Sequence, residues 1–143
     1  MALTEMPGHL IRRLHQHATL VFMEKTQAAG FDLTPVQFAA LQAIDQQPHA
    51  DQTSIAQIIG YDRATIGGVI NRLEKKKWIR RVVCSSDRRA RELTLSTQGK
   101  RTLSALEPIV QALQHEILKP LNASDYARFV ELSKKVAIAP APD

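Results

Sequence analysis

The chain has 143 residues, of which 44% are hydrophobic, and its 19 Lys and Arg against 14 Asp and Glu make a formal net charge of +5 at pH 7. This length and apolar content suit one compact domain and exclude a largely disordered chain. The single cysteine excludes an intrachain disulfide framework, and the absence of a secretory leader or of an 18-residue apolar run leads us to expect a cytoplasmic protein that is neither secreted nor membrane-spanning.

The first predicted element is a long amphipathic helix over residues 9–28, because its apolar residues recur every three or four positions and Gly30 offers a stop. Three of the five histidines lie on this helix. Two of them, His15 and His17, are two residues apart and therefore point to nearly opposite sides, so they do not form a chelating pair. We expect no metal site and no cofactor.

A second helix is predicted to begin after Thr34. Thr34, Pro35 and Gln37 have the pattern of an N-cap, a first-turn proline and a capping box. The helix should run to about Gln47, because Pro48 follows. Its apolar residues are expected to face the core.

The third and fourth predicted helices form a helix-turn-helix, joined by a short turn at Gly60. The third begins at Asp51 or Gln52, and the fourth has an apolar stripe at Ile66, Val69, Ile70 and Leu73. The opposite face of the fourth helix begins with small residues and ends polar and basic. The second helix of such a pair can enter the major groove of DNA. The residues that we expect to contact DNA there are Arg63, Thr65, Gly67, Gly68, Asn71, Arg72 and Lys75.

The adjacent Gly67 and Gly68 require an explanation, because glycine inside a helix costs about 1 kcal/mol relative to alanine. One interpretation is that the missing side chains let the helix backbone lie close to a nucleic acid. The other is a close contact with a second helix, or a mild kink. The basic surroundings favour the first.

Positive charge is concentrated around this motif. Residues 61–101 contain twelve basic and four acidic residues, a net charge of +8, whereas the rest of the chain sums to −3. Lysine and arginine that neutralise phosphates release counterions and supply most sequence-independent DNA affinity. A solvated basic face is the alternative, but it does not account for the coincidence of charge, helix pair and hairpin.

The hairpin that follows comprises two short apolar runs, residues 79–83 and 90–95, around a polar tip. Such an arm can carry arginine into the minor groove beside the major groove that holds the helix. We therefore assign Asp87, Arg88 and Arg89 to DNA contact, with Asp87 holding an arginine in position. In the alternative interpretation the tip residues only form a turn and the arginines are solvated.

Two further helices complete the chain. Ser96 is the predicted N-cap of a helix that reaches about Lys119 and has apolar residues spaced by three and four, which is typical of a helix that packs along another helix. Asn122 is the predicted cap of a last helix that contains Phe129, and residues 139–143 are expected to be a mobile tail.

The first, fifth and sixth helices have more apolar length than a lobe of this size can cover, so we expect them to form a dimerisation lobe. A two-fold dimer would place two recognition helices about 34 Å apart and would require a palindromic site. The alternative is a monomeric bundle. The residues assigned to dimerisation are Leu10, Leu14, Leu106, Val110, Leu113, Ile117 and Phe129.

The segment from Ile55 to Gly99 resembles the MarR family of bacterial regulators. It carries Arg-Ala-Thr at the opening of the second helix of the motif, Asn-Arg-Leu-Glu-Lys-Lys at the end of that helix, Asp-Arg-Arg in the hairpin and Leu-Thr-Leu-Ser-Thr-Gln-Gly after it. The similarity extends into the flanking helices. It implies a mainly α (α+β) winged helix-turn-helix fold with flanking N- and C-terminal dimerisation helices, in one domain over residues 1–138. Within that domain the dimerisation lobe is expected at residues 5–33 and 104–138, and the DNA-binding lobe at residues 34–103.

The resemblance also implies a function and further residue roles. It implies a homodimeric regulator, usually a repressor, that binds a palindromic operator and is released by a small aromatic or phenolic acid. Its recognition helix corresponds to residues 62–76, which adds Asp62 to the expected DNA contacts, and its wing arginine corresponds to Arg89. This chain departs from the family pattern in having Gly67 and Gly68 in place of base-reading side chains. It also has Lys77 in place of a helix-ending glycine, which would cost about 1 kcal/mol if Lys77 adopts the left-handed conformation.

The resemblance places an effector pocket between the two lobes, where Arg12, His15, Phe22 and Phe38 are the candidate lining residues. Each is more often an ordinary core or surface residue. Cys84 lies beside basic residues that can favour the thiolate, so a redox-responsive regulator is a further alternative.

The sequence also bears on two other functional classes, enzymes and architectural DNA-binding proteins. No sequence motif of a nucleophilic, phosphate-binding or zinc-dependent enzyme occurs, so we expect no enzymatic activity. A non-specific architectural DNA-binding protein is the stronger rival, because the glycine pair leaves few side chains to read bases.

Overall fold

The computed structural model describes residues 1–83 and 91–138. In these residues a short 3-10 turn, Leu3–Glu5, precedes six α-helices and two strands. In chain order these are α1 (Pro7–Ala28), α2 (Pro35–Gln46), α3 (Gln52–Ile59), α4 (Ile66–Lys75), β1 (Ile79–Val83), β2 (Arg91–Leu95), α5 (Thr97–Ile117) and α6 (Ala123–Ala137). The mainly helical class with a small antiparallel sheet is confirmed. No helix in the described ranges is both long and apolar enough to cross a membrane.

The predicted helix starts are confirmed by their capping hydrogen bonds. The Gln37 N–H donates to Thr34 Oγ1 at 3.2 Å and the Thr34 N–H donates to Gln37 Oε1 at 3.1 Å, which completes the capping box. Asn122 accepts in the same way from the Asp125 N–H at 2.8 Å. These bonds satisfy backbone donors that a helix start leaves without an intrahelical partner.

The start of α3 is capped by Asp51, whose Oδ1 accepts from the Ser54 N–H at 2.8 Å. Hydrogen bonds from the side chain and then the backbone of Ser54 lower the pKa of the Asp51 carboxyl below its ordinary 3.8. The contribution of this cap to stability is therefore present above that pH, and it is lost as the pH falls through the lower folded-state pKa.

The recognition helix α4 begins at Ile66, four residues later than the start that the resemblance implied. Residues 62–65 form a turn in which the Asp62 carbonyl accepts from the Thr65 N–H at 3.1 Å and from the Ile66 N–H at 3.0 Å. The expected span of residues 62–76 is wrong at this end, because Asp62 closes a turn of its own before the helix begins.

The end of α4 has the geometry expected at Lys77, whose φ is 64°. The Trp78 N–H donates to the Leu73 carbonyl at 3.1 Å and the Lys77 N–H donates to the Glu74 carbonyl at 2.9 Å, which is the hydrogen-bond pattern of a Schellman motif. The condition stated for strain at Lys77, a left-handed conformation, is therefore met. A non-glycine residue is strained in this conformation.

The hairpin pairs β1 with β2 in antiparallel register, from Ile79 opposite Leu95 to Val83 opposite Arg91. The edge of β2 that faces away from β1 also forms a backbone hydrogen bond. The Leu93 N–H donates to the Ala50 carbonyl at 2.9 Å, so the segment before α3 lies along the sheet. The sheet therefore connects both helices of the helix-turn-helix.

The core lies between α2, the inner face of α4, the sheet and α5. It includes the predicted stripe of α4, since Ile66, Val69, Ile70 and Leu73 are all buried. It also includes three residues that we had assigned to dimerisation, Leu106, Val110 and Leu113. That assignment is corrected: these side chains point into the core of their own protomer, where α5 packs on α1 and α2.

The tight corner between the sheet and α5 is closed by Ser96, the predicted N-cap. Its hydroxyl donates to the Lys77 carbonyl at 2.6 Å and accepts from the Gly99 N–H at 3.0 Å, and its N–H donates to the Trp78 carbonyl at 2.9 Å. A Cβ added to Gly99 would lie 1.9 Å from the Trp78 carbonyl oxygen. Only glycine fits at this approach of two backbones.

We predict that Gly99→Ala lowers the free energy of unfolding by about 3 kcal/mol, because a rigid backbone carbonyl must move to admit the methyl group. Chemical denaturation at one fixed protein concentration measures the change. The matched control is Gly68→Ala, where the added Cβ meets no atom within 4 Å. Equal stability of the two variants would contradict the close approach at the corner.

Candidate nucleic-acid interface

The outer face of α4 is the candidate DNA-binding surface. Gly68, Asn71, Arg72 and Lys75 are exposed on it, and Gly67 is partly covered. The opposite face is anchored by four buried apolar side chains, so the helix cannot rotate about its axis without exposing them. The orientation of the outer face is therefore set by the core.

The turn before α4 presents Arg63 and Thr65 to solvent. The Asp62 carboxylate forms a hydrogen bond within this turn, where its Oδ1 accepts from the Ala64 N–H at 3.0 Å. The Thr65 hydroxyl donates to the Asp62 carbonyl at 3.3 Å. This geometry gives Asp62 a structural role, in shaping the segment that carries Arg63, in addition to its position on the candidate surface.

The glycine pair occupies the first turn of α4, which is not the helix interior that the sequence suggested. A Cβ on Gly68 would meet no described atom within 4 Å, and one on Gly67 would make an ordinary 3.4 Å contact with Gln52 Nε2. A close helix-helix contact therefore does not explain Gly68. Because Gly68 has no side chain and no neighbour, a molecule outside the protein can approach the helix backbone at this position.

The three consecutive lysines at the end of α4 have different environments. Lys75 and Arg72 line a cavity of about 350 Å³ between α4 and the start of α2. Lys76 is used inside the protein: its Nζ donates to the Asp32 carbonyl and lies 4.7 Å from the centroid of the Trp78 ring. A cation held over an aromatic face and bound to a carbonyl is less available to a phosphate.

Arg81 is a further residue of this surface that the sequence did not indicate. This residue of β1 reaches back to α4, where its Nη2 donates to Asn71 Oδ1 at 2.5 Å and its Nη1 lies 3.9 Å from Glu74 Oε1. Arg81 lies ten positions after Asn71, and the chain between them crosses a helix end and a turn, so sequence spacing alone does not indicate the contact. The base of the hairpin and the candidate recognition face are thereby joined.

The wing tip lies outside the described residues. The expected contacts at Asp87, Arg88 and Arg89, and the redox candidate Cys84, fall in this part of the chain.

The four candidate effector-binding residues differ in their burial. Phe22 and Phe38 are buried in the core with their ring centroids 6.2 Å apart, whereas Arg12 and His15 are exposed on α1. The two aromatic residues pack against each other and the two basic residues are exposed, so a shared effector site stays a prediction.

Two of the remaining dimerisation candidates, Leu14 and Phe129, line an open apolar groove between α1 and α6. Leu10 and Leu14 are exposed, and Ile117 and Phe129 are partly buried. The groove has a volume of 540 Å³, and its apolar lining residues are Ile11, Leu14, Phe129, Leu132 and Val136. Helix α6 has no buried side chain. Within the described residues, this groove is thus an uncovered apolar surface, whereas Leu106, Val110 and Leu113 of α5 are buried.

Comparison with known proteins gives concordant matches. A model of the MarR family matches residues 33–90. The transcriptional regulator HosA of Escherichia coli O127:H6 is 29% identical over 136 residues, which cover 95% of this chain and 98% of HosA.

Two solved structures are similar over almost their whole length. BpsR of Bordetella bronchiseptica, solved to explain regulation of its DNA binding by 6-hydroxynicotinic acid, has a TM-score of 0.89 and 26% identity, covering 98% of this chain and 99% of BpsR. The transcriptional repressor CouR, bound to a 23-mer DNA duplex, has a TM-score of 0.81 and 30% identity, covering 96% of this chain and 95% of CouR.

We predict that Gly68→Leu weakens DNA binding by at least about tenfold, which corresponds to about 1.4 kcal/mol, because its side chain would project from the face that approaches the duplex. Thermal stability should stay near that of the wild type, since the site is open. Fluorescence anisotropy with a labelled duplex measures the affinity, and Gly68→Ala is the smaller control. Wild-type affinity of Gly68→Leu would exclude a close approach at Gly68.

Proposed function

Because this chain belongs to the MarR family of transcriptional regulators, we propose that it is a homodimeric repressor that binds a palindromic operator and is released from it by a small aromatic or phenolic acid. The observation that carries the DNA-binding part is the outer face of α4. It is open at Gly68, basic at Arg72 and Lys75, and held in place by a buried apolar stripe.

The proposed contacts divide into two kinds. Arg63, Arg72 and Lys75 are placed to neutralise phosphates, which supports affinity without sequence information. Thr65 and Asn71 carry uncharged polar groups that can bond to base edges in the major groove. We extend the contacts to Asp87, Arg88 and Arg89 of the wing, on the sequence of the hairpin and on the resemblance.

The proposed homodimer is supported by the apolar groove between α1 and α6. A monomer in water would leave several large apolar side chains of two helices exposed, among them Leu14, Leu132 and Val136. Contiguous apolar surface of this kind is typical of an interface. A two-fold axis through this surface would present two copies of α4 to one duplex, which accounts for a palindromic operator.

The proposed effector class is supported by BpsR, whose DNA binding is regulated by 6-hydroxynicotinic acid, an aromatic acid. Arg12 on α1 is the candidate partner for a carboxylate in this chain, with His15 on the same helix. A ligand can release the operator only if it binds one spacing of the two recognition helices better than the other.

We predict that the wild-type protein binds a palindromic duplex from its own promoter at least about 10³-fold more tightly than random duplex of equal length. Anisotropy titration against unlabelled random competitor at one salt concentration measures the ratio. Equal affinity for both duplexes would indicate an architectural DNA-binding protein. Adding 6-hydroxynicotinic acid and other aryl acids to the same titration tests release, with an aliphatic acid of equal charge as the control.

We predict that Leu132→Asp converts the dimer to a monomer, because it places a charge in the apolar groove. Light scattering measures the mass. The matched control is Ala127→Asp, which adds the same charge at an exposed position on the opposite side of α6 and should leave the dimer intact. A dimeric Leu132→Asp protein would show that the interface lies elsewhere.

A further inference from the structure

The contact between Arg81 and Asn71 restricts what Asn71 can recognise. Arg81 Nη2 donates to Asn71 Oδ1 at 2.5 Å, and the Arg81 side chain is only 29% exposed. A hydrogen bond from a guanidinium is charge-assisted and is therefore stronger than one between neutral groups. Glu74, 3.9 Å from Arg81 Nη1, supports the guanidinium from the same helix as Asn71.

The chemistry of the pair determines how the Asn71 amide is oriented. A guanidinium has only N–H donors, so the atom of the amide that faces Arg81 must be the carbonyl oxygen. The NH₂ group then lies on the other side of the amide. Asn71 thus offers its two N–H donors to a ligand, while its acceptor is directed toward β1.

Asn71 is the residue of α4 that is best suited to recognise a base. The helix positions that precede it on the outer side are glycines, and the cations that follow it, Arg72 and Lys75, suit phosphates. Asn71 is the uncharged polar side chain at the middle of α4. A restriction on its hydrogen bonding is therefore a restriction on the base that the helix reads.

We propose, on the basis of the proposed DNA-binding function, that Arg81 is a positioning residue that makes Asn71 a donor-only reader of the major groove. An unrestrained asparagine reads adenine by accepting from N6–H and donating to N7. With its oxygen held by Arg81, Asn71 favours base edges that present acceptors, guanine through O6 and N7 or thymine through O4. Cytosine, which presents an N4–H₂ donor, is disfavoured.

The test is selection of binding sites from duplexes randomised at every operator position. For the wild type, one position in each half-site should enrich guanine or thymine. Arg81→Ala frees Asn71 Oδ1, so the preference at that position alone should shift toward adenine by about tenfold or more. The matched control is Arg80→Ala, which removes the same charge from the neighbouring residue of β1, whose side chain points to the other face of the sheet, and should keep the wild-type preference.

A second variant does not depend on the stability of Arg81→Ala. Asn71→Asp keeps a strong pair with Arg81 but removes both N–H donors, so the guanine or thymine preference at that position should disappear. An unchanged preference in Asn71→Asp or in Arg81→Ala would overturn the inference while leaving operator binding by the wild type intact. Enrichment of no sequence by the wild type would instead overturn the proposed function and this inference with it.

Discussion

The corner at Ser96 is the contact on which the arrangement of this protein depends. The Ser96 hydroxyl donates to the carbonyl of Lys77, which follows the recognition helix, and accepts from the N–H of Gly99 in the first turn of α5. The two backbones approach so closely that Gly99 has no room for a side chain. Because the hairpin leaves and returns through this corner, the positions of the recognition helix, the wing strands and α5 are set together. Strain at Lys77 is compatible with this arrangement because three hydrogen bonds around the corner hold the chain there.

The recognition helix combines a fixed inner face with an open outer one. Burial of its apolar stripe determines which side chains face outward, and the glycines leave the start of the outer face without side chains. Few polar side chains remain on this outer face, and Arg81 ties one of them, Asn71, to the base of the hairpin. A basic residue that a charge count would assign to phosphate binding thus has a different role in the folded protein, as Lys76 does beside Trp78.

The apolar residues of the protomer form two separate groups, one buried in the core and one that lines the open groove. The heptad-like residues of α5 stabilise the protomer itself, whereas the groove between α1 and α6 stays open. The side chains that stabilise the core under α4 are therefore different from those that line the groove.

Sequence alone determined the order of the helices and strands, the caps at Thr34, Ser96 and Asn122, the inner stripe of α4 and the family resemblance. These features depend on hydrogen bonds and periodicities within a few residues, which are visible along the chain. It did not determine the start of α4, the partner of the α5 seam, the burial of Phe22 against Phe38 or the bond between Arg81 and Asn71. An apolar stripe shows that a face is buried but not which surface buries it, and a guanidinium can reach any acceptor that the fold brings near. Only tertiary packing selects among such partners, because it decides which elements distant in sequence come together.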